Sequence, residues 1–127
     1  MSRQNRAQRR GAHHYPRMAR VNEVLREVLA DEVELVAAAD PRLELLTVTG
    51  VACEADLRHA TVLFASLSEA ASEGLEQARP RLQAAIARQV RMRRTPQLTF
   101  EADPAIAYGE RVEEILRSLH RAEPGET

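Results

Sequence analysis

The sequence predicts a two-layer α+β domain in the order α-β-β-α-kink-α-β-α, with helices on one side of a three-stranded sheet. Three observations carry this. Apolar residues recur at helical spacing before residue 38 and again between residues 69 and 93. Between those segments lie two short runs joined by a turn, in which apolar and polar residues alternate. After Pro96, Leu98, Phe100 and Ala102 alternate with Gln97, Thr99 and Glu101, the pattern of a third half-buried strand.

Residues 1–16 have no periodicity, contain Gly11 and Pro16, and read as a flexible basic arm. The first helix is expected over residues 17–38, with Val21, Val24, Leu25, Val28, Leu29, Leu35 and Val36 on one broad face. Glu32 falls near the centre of that face, which requires either an arginine partner or a shift of helical phase. Asp40-Pro41 ends the helix, because the residue before proline avoids the α region.

The first strand is expected over residues 43–54. Leu46 and Val48 share one phase and Val51 and Cys53 the other, so the slip at Gly50 predicts a β-bulge. Ala55-Asp56-Leu57 forms the turn. The second strand, residues 58–67, alternates Ala60, Val62 and Phe64 against Thr61 and Leu63, closing an antiparallel hairpin. Val48, Val51, Val62, Phe64, Leu98 and Phe100 should form the centre of the sheet. Ser68 is placed to cap the next helix, with Glu69 in its first turn. Pro80 cannot enter an uninterrupted helix without kinking it, so two pieces, 69–78 and 80–93, are expected to meet at Ala78, Arg79 and Pro80. A last helix over 109–121 carries Val112, Ile115, Leu116 and Leu119. The folded domain is therefore bounded at 17–121, with a loose polar tail from 122 to 127.

At 127 residues the chain is one domain plus tails, long enough to bury a core without staples. The single Cys53 excludes an internal disulfide, and no apolar run approaches the ~18 residues of a membrane span. The first twenty residues lack an apolar signal core. They are arginine-rich and acid-free like an organellar transit peptide, yet serine is nearly absent.

The net charge of −1 hides strong segregation. All eighteen basic residues are arginine: six lie in residues 1–20 and six in 79–94, with no acid in either segment. The rest of the chain holds six arginines against nineteen acids, a net of −13. Such asymmetry points to a polyanionic partner, against the ordinary reading of a solvated charged surface. With aromatics at only 3%, base-stacking platforms are argued against.

Other chemistry is poorly signalled. Cys53 lies a few residues from His59 across the hairpin, but nothing marks a positioned base or oxyanion site, and a lone cysteine in an apolar strand is ordinarily core. His13-His14 lacks the further ligands of a zinc site. Glu113-Glu114 and Asp31-Glu32 are adjacent on helices and point apart. No P-loop, GxGxxG or GXXG occurs, so no cofactor is implied. The arginines remain. If Leu82, Ile86 and Val90 face the sheet, Arg81, Arg88 and Arg91 face water, with Arg94 near the helix end and Arg93 closer to the apolar stripe. Arg17 and Arg20 at the start of the first helix, and Arg42 after its end, extend the expected RNA-binding patch.

Four blocks over residues 17–120 resemble bacterial ribosome-binding factor A. They are Asp40-Pro41-Arg42-Leu43 leading to Thr47-Val48-Thr49-Gly50-Val51; Asp56-Leu57-Arg58-His59-Ala60-Thr61-Val62; Arg91-Met92-Arg93-Arg94-Thr95-Pro96-Gln97-Leu98-Thr99-Phe100; and Asp103 followed by Gly109-Glu110-Arg111-Val112 and Ile115-Leu116. The resemblance implies a type II KH-like fold lacking the GXXG loop. It implies a non-enzymatic, cytoplasmic bacterial assembly factor, without a cofactor or membrane partner and monomeric when free. Such a factor binds the free small (30S) ribosomal subunit, assists late maturation of 16S rRNA including its 5′ end, matters most in the cold, and leaves before translation. Three features depart from the family pattern: Pro80 where the family's Ala-x-Gly kink has glycine, the Ala37-Ala38-Ala39 connection, and the longer arm. Two other classes stand beside this expectation: a general RNA-binding or chaperone-like KH module without subunit preference, and a small enzyme using Cys53.

Overall fold

The computed structural model describes residues 2–122, with side chains described for 17–106 and 108–120. Its elements are α1 (Ser2–Ala37), a 3-10 turn (Pro41–Leu43), β1 (Val48–Cys53), β2 (His59–Phe64), α2 (Glu69–Gln89), β3 (Gln97–Ala102) and α3 (Pro104–Ala122). The fold is α+β, with a mixed sheet in the order β1-β2-β3. β1 and β2 run antiparallel, and the expected bulge is present: Val48 pairs with Phe64 and Gly50 with Leu63, leaving Thr49 as the extra residue. β2 and β3 run parallel, from His59 opposite Gln97 to Phe64 opposite Ala102. A parallel pair needs a long crossover, which α2 supplies.

Strict alternation on the central strand makes the layers. Ala60, Val62 and Phe64 of β2 are buried, while Thr61 and Leu63 are only half-buried. The buried face meets Leu25, Val28, Leu29, Val33 and Val36 of α1 and Leu75, Leu82, Ala85 and Ile86 of α2. The stripe expected on α1 is thus rotated slightly: Val33 is in the core, whereas Val24 and Leu35 are exposed. Of the six expected sheet-centre residues, five are buried; Phe100 is half-buried, its ring tilted against Phe64 and beneath the Arg79 guanidinium.

Several boundaries differ from expectation. α1 begins well before residue 17. The side chains of the expected basic arm, residues 1–16, and the expected tail beyond Ala122 lie outside the described residues. β1 is shorter than residues 43–54. Asp40 caps a 3-10 turn through the Arg42 N–H at 3.0 Å, and Leu45 takes a left-handed φ of 68°, so extended pairing starts only at Val48.

The two helical pieces expected around residue 79 are one helix, α2, with Pro80 inside it. Proline removes one backbone donor, but Leu75 and Leu82 are buried on either side of it and hold both halves to the same core. Ala78, Arg79 and Pro80 therefore lie within an unbroken element and not at a junction between two. Ser68 caps α2 as expected, its hydroxyl accepting from the Ala71 N–H at 3.0 Å. The helix ends at Gln89 rather than 93, because Val90 is extended and its neighbours alternate: Val90 and Met92 pack on the core while Arg91 and Arg93 point to water. α3 starts at Pro104, earlier than 109, and has at most marginal contact with the other elements. Ile115, Leu116 and Leu119, which the last helix was expected to carry, are 54%, 58% and 60% exposed.

Candidate nucleic-acid interface

Arg91, Arg93 and Arg94 sit on the link between α2 and β3 and are exposed. The parallel ladder fixes this link beside the β1–β2 turn. The Gln97 N–H donates to the Arg58 carbonyl at 2.8 Å, and His59 lies opposite Gln97. On the other side of that turn, Asn22 Oδ1 of α1 accepts from the Cys53 N–H at 3.0 Å. Arg17 and Arg20 lie within the two helical turns before Asn22. Arg88 occupies the last turn of α2, where its charge also complements the helix dipole. Three arginine-bearing segments, far apart in sequence, thus meet at one end of the domain.

Exposure alone does not mark an interface; pairing separates the arginines further. Arg17, Arg20, Arg58, Arg88, Arg91, Arg93 and Arg94 are all exposed, and none has a side-chain hydrogen bond or ion pair with another described residue. Two residues expected in the patch differ. Arg81 donates through Nε to Glu32 Oε1 at 2.9 Å, the partner that the buried Glu32 needed. Arg42 is held by both carboxylate oxygens of Asp40, at 3.0 and 2.8 Å, and by Gln77 at 2.7 Å. The Arg42 guanidinium in turn holds the Asp40 carboxyl below its ordinary range. Arg81 and Arg42 therefore carry compensated charge. Arg79 is a strut: it donates to the Leu98 carbonyl of β3, pairs with Glu76, and lies 5.4 Å above the Phe100 ring centre.

Arg58 and Arg93 belong to this end although neither was expected in the patch. Arg58 gives no charge signal in the sequence, because it stands alone in a turn just after two acids. Arg93, expected closer to the apolar stripe, is exposed because the helix has already ended. The period-two alternation of Val90, Arg91, Met92 and Arg93 was the available signal for that.

The remaining groups are chemically quiet. Cys53 is half-buried; burial, then Asp56 and Glu54, push its thiol upward, which disfavours the thiolate. Glu54, Asp56 and His59 have ligand atoms within 4.8 Å of one another at the hairpin tip, all exposed. His59 Nδ1 is 3.7 Å from Glu54 Oε2. A closed structural zinc site takes four ligands, mostly thiolate or imidazole, and this tip offers one imidazole. The His13-His14 pair lies outside the described side chains. No helix among the described residues is long and apolar enough to cross a membrane.

Comparison with known proteins identifies the family of the chain. A family model described as Ribosome-binding factor A matches residues 17–116. A ribosome-binding factor A of Rubrobacter xylanophilus is 42% identical over 108 residues, covering 81% of this chain and 87% of its own. That of Latilactobacillus sakei is 34% identical over 114 residues, covering 84% and 95%. The crystal structure of ribosome-binding factor A from Thermus thermophilus superposes with a TM-score of 0.61 at 40% identity, over 67% of this chain and 93% of that one. A Thermus thermophilus homology model fitted into a cryo-EM map of a 30S complex gives 0.54 at 41% identity, over 65% and 91%. With a family model spanning most of the chain and relatives this similar, the chain belongs to the ribosome-binding factor A family.

Proposed function

We propose that this chain is a non-enzymatic assembly factor that binds the free small ribosomal subunit in the bacterial cytoplasm and assists late maturation of 16S rRNA, including its 5′ end. It is a monomer when free, its domain is KH-like, and its action matters most in the cold. The observation that carries the reading is the arginine-rich end described above, whose charge no described acid neutralises. A rigid domain with guanidinium groups at one end suits folded RNA, which proteins recognise largely by shape, 2′-hydroxyl and phosphate contacts. The Thermus relative fitted into a 30S complex supports the same choice of partner. Arg88, Arg91, Arg94, Arg17 and Arg20 contact the RNA, and residues 1–16 add a basic arm to the surface.

Co-sedimentation tests this. The full chain should travel with free small subunits and be absent from assembled ribosomes, and replacing Arg88, Arg91 and Arg94 by glutamine should weaken that association without lowering the melting temperature. A chain spread through the light fractions with free transcripts would instead be a general RNA-binding module, and the assembly reading would be wrong.

A further inference from the structure

A cavity of about 230 Å3 opens between the β1–β2 turn and the α2–β3 link, lined by Asp56, Leu57, Arg58, Arg93 and Arg94. We propose that this cavity cradles one phosphate of an RNA strand, held jointly by Arg58, Arg93 and Arg94. The inference rests on the reading of the chain as an RNA binder, and it names a contact distinct from the outer face of α2.

Four observations support the cradle. First, three guanidinium-bearing residues line one cavity and none pairs with a described acid. Like charges so placed repel one another, and a phosphate relieves all three at once. The one carboxylate present, Asp56, is turned onto the backbone, its Oδ1 accepting from the Arg58 N–H at 3.0 Å. Second, the walls are fixed relative to each other. The Leu57 N–H donates to the Glu54 carbonyl at 2.8 Å, and the Gln97 N–H to the Arg58 carbonyl at 2.8 Å. Third, Leu57 takes a left-handed φ of 61°, a conformation that costs a branched residue energy and is retained where a turn must hold a set shape. Fourth, the space is smaller than the roughly 300 to 1,000 Å3 of pockets for drug-sized ligands and has room for a phosphate group of a strand. No aromatic side chain lines it, so it has no stacking platform for a base. Guanidinium forks match phosphate oxygens, and such a contact fixes position on the RNA without reading its sequence.

The cradle has a thermodynamic signature. Binding falls with salt by a slope of about 0.9 per phosphate neutralised. Three arginines on one phosphate should together contribute about one such unit. Between about 50 and 200 mM salt, the wild-type chain should then lose about 3.5-fold more affinity than the Arg58→Gln, Arg93→Gln, Arg94→Gln triple variant. Three independent contacts would make that factor about 40-fold. Each single glutamine substitution should change the slope by much less than the triple variant, because two guanidinium groups remain to neutralise the phosphate.

The test is a titration of the full chain with a short RNA hairpin, following arginine Nε–Hε resonances by NMR beside the salt series. Expected are joint shifts of Arg58, Arg93 and Arg94 and a slope difference near one unit. Unmoved resonances at these three, or a difference near three units, overturn the cradle. So does a parallel arm in which inorganic phosphate shifts the three resonances as strongly as the hairpin at equal concentration, which assigns the cavity to free anions. Because the hairpin needs no ribosomal subunit, failure to co-sediment with small subunits would overturn the proposed function and leave the cradle to be judged by this titration.

Discussion

Replacing Arg81 should damage the fold and spare RNA binding, the reverse of what its place among exposed helical arginines suggests. Glu32 is only 5% exposed, and the side-chain oxygen facing α2 is met by Arg81 Nε at 2.9 Å. Arg81→Ala leaves a carboxylate in the core with no cation. Breaking a fully buried ion pair costs about 3–5 kcal/mol. Here the arginine side chain is 55% exposed, so water reaches one side of the pair and the cost moves toward the roughly 1–3 kcal/mol of an unsatisfied buried acceptor. We expect about 2 kcal/mol. At about 4–8 °C per kcal/mol for a domain of this size, the melting temperature should fall by roughly 8–16 °C.

The companion variant separates charge from packing. Glu32→Met, Arg81→Met removes both ends of the pair and should be near neutral, since apolar replacement of buried pairs is often neutral or stabilising. Urea titration gives the cycle. The midpoint should drop in Arg81→Met, as in Arg81→Ala, with an unchanged slope and recover in the double variant; with Glu32→Met as the fourth corner, the coupling should be about 1–2 kcal/mol. Small-subunit binding by the double variant, measured well below its melting temperature, should match wild type. An Arg81→Ala chain with stability unchanged within about 0.5 kcal/mol and a shallower salt dependence of binding would refute the reasoning and return Arg81 to the interface.

Three further outcomes follow from the same geometry. Phe64→Ala, at a fully buried ring, should cost about 3–5 kcal/mol in chemical denaturation, whereas Phe100→Ala, at a half-buried ring, should cost about half as much; equal costs would mean β3 is misplaced. Gly74→Ala should fail to give the roughly 1 kcal/mol expected from helix propensity, because the added Cβ would lie 2.9 Å from Leu43 Cδ2 and 3.1 Å from Asp40 Oδ2; a stabilised variant would show that α2 does not approach the 3-10 turn so closely. Asp103 accepts from Thr49 Oγ1 at 2.7 Å and from the Ala105 N–H at 3.0 Å, which hold its carboxyl below its ordinary 3.8. Its contribution to stability is therefore present above that ordinary value and is lost as pH falls through the lower folded value, so Thr49→Val should move the Asp103 carboxyl titration upward in NMR, and an unmoved titration would exclude the bond.

Periodicity made most of the fold legible. The bulge at Gly50 followed from a change of alternation phase, and the Ser68 cap from its position before a helical run. What sequence did not show depends on tertiary choice. Leu45 reads as part of a strand, yet the turn capped by Asp40 and a left-handed φ at Leu45 keep that segment out of the sheet. Pro80 reads as a break, yet one missing donor is outweighed by burial on both sides of it. The stripe on α3 is as regular as that of any core helix, and its exposure shows that periodicity reports an apolar face without saying what covers it.

The candidate site was legible for a related reason and misread for another. No acid precedes Glu23, and none lies between Glu76 and Glu101. From sequence these are two unrelated basic stretches. The fold joins part of them: Asn22 bonds Cys53 at one side of the hairpin, and Arg58 bonds Gln97 at the other. An acid-free stretch does not by itself leave its arginines uncompensated, because packing brings acids from elsewhere. Arg79 reaches back to Glu76, and Arg81 finds Glu32 across the helix interface, forty-nine residues away. Compensation ends where α2 ends. Beyond Gln89 the chain runs beside a turn whose Asp56 accepts from the Arg58 N–H and pairs with no arginine head group. Arg88 in the last turn, and Arg91, Arg93 and Arg94 beyond it, have no acid partner among the described residues. A polyanion arriving at that end would displace no ion pair that the fold depends on, because the arginines that hold the core together and the uncompensated ones are separate residues.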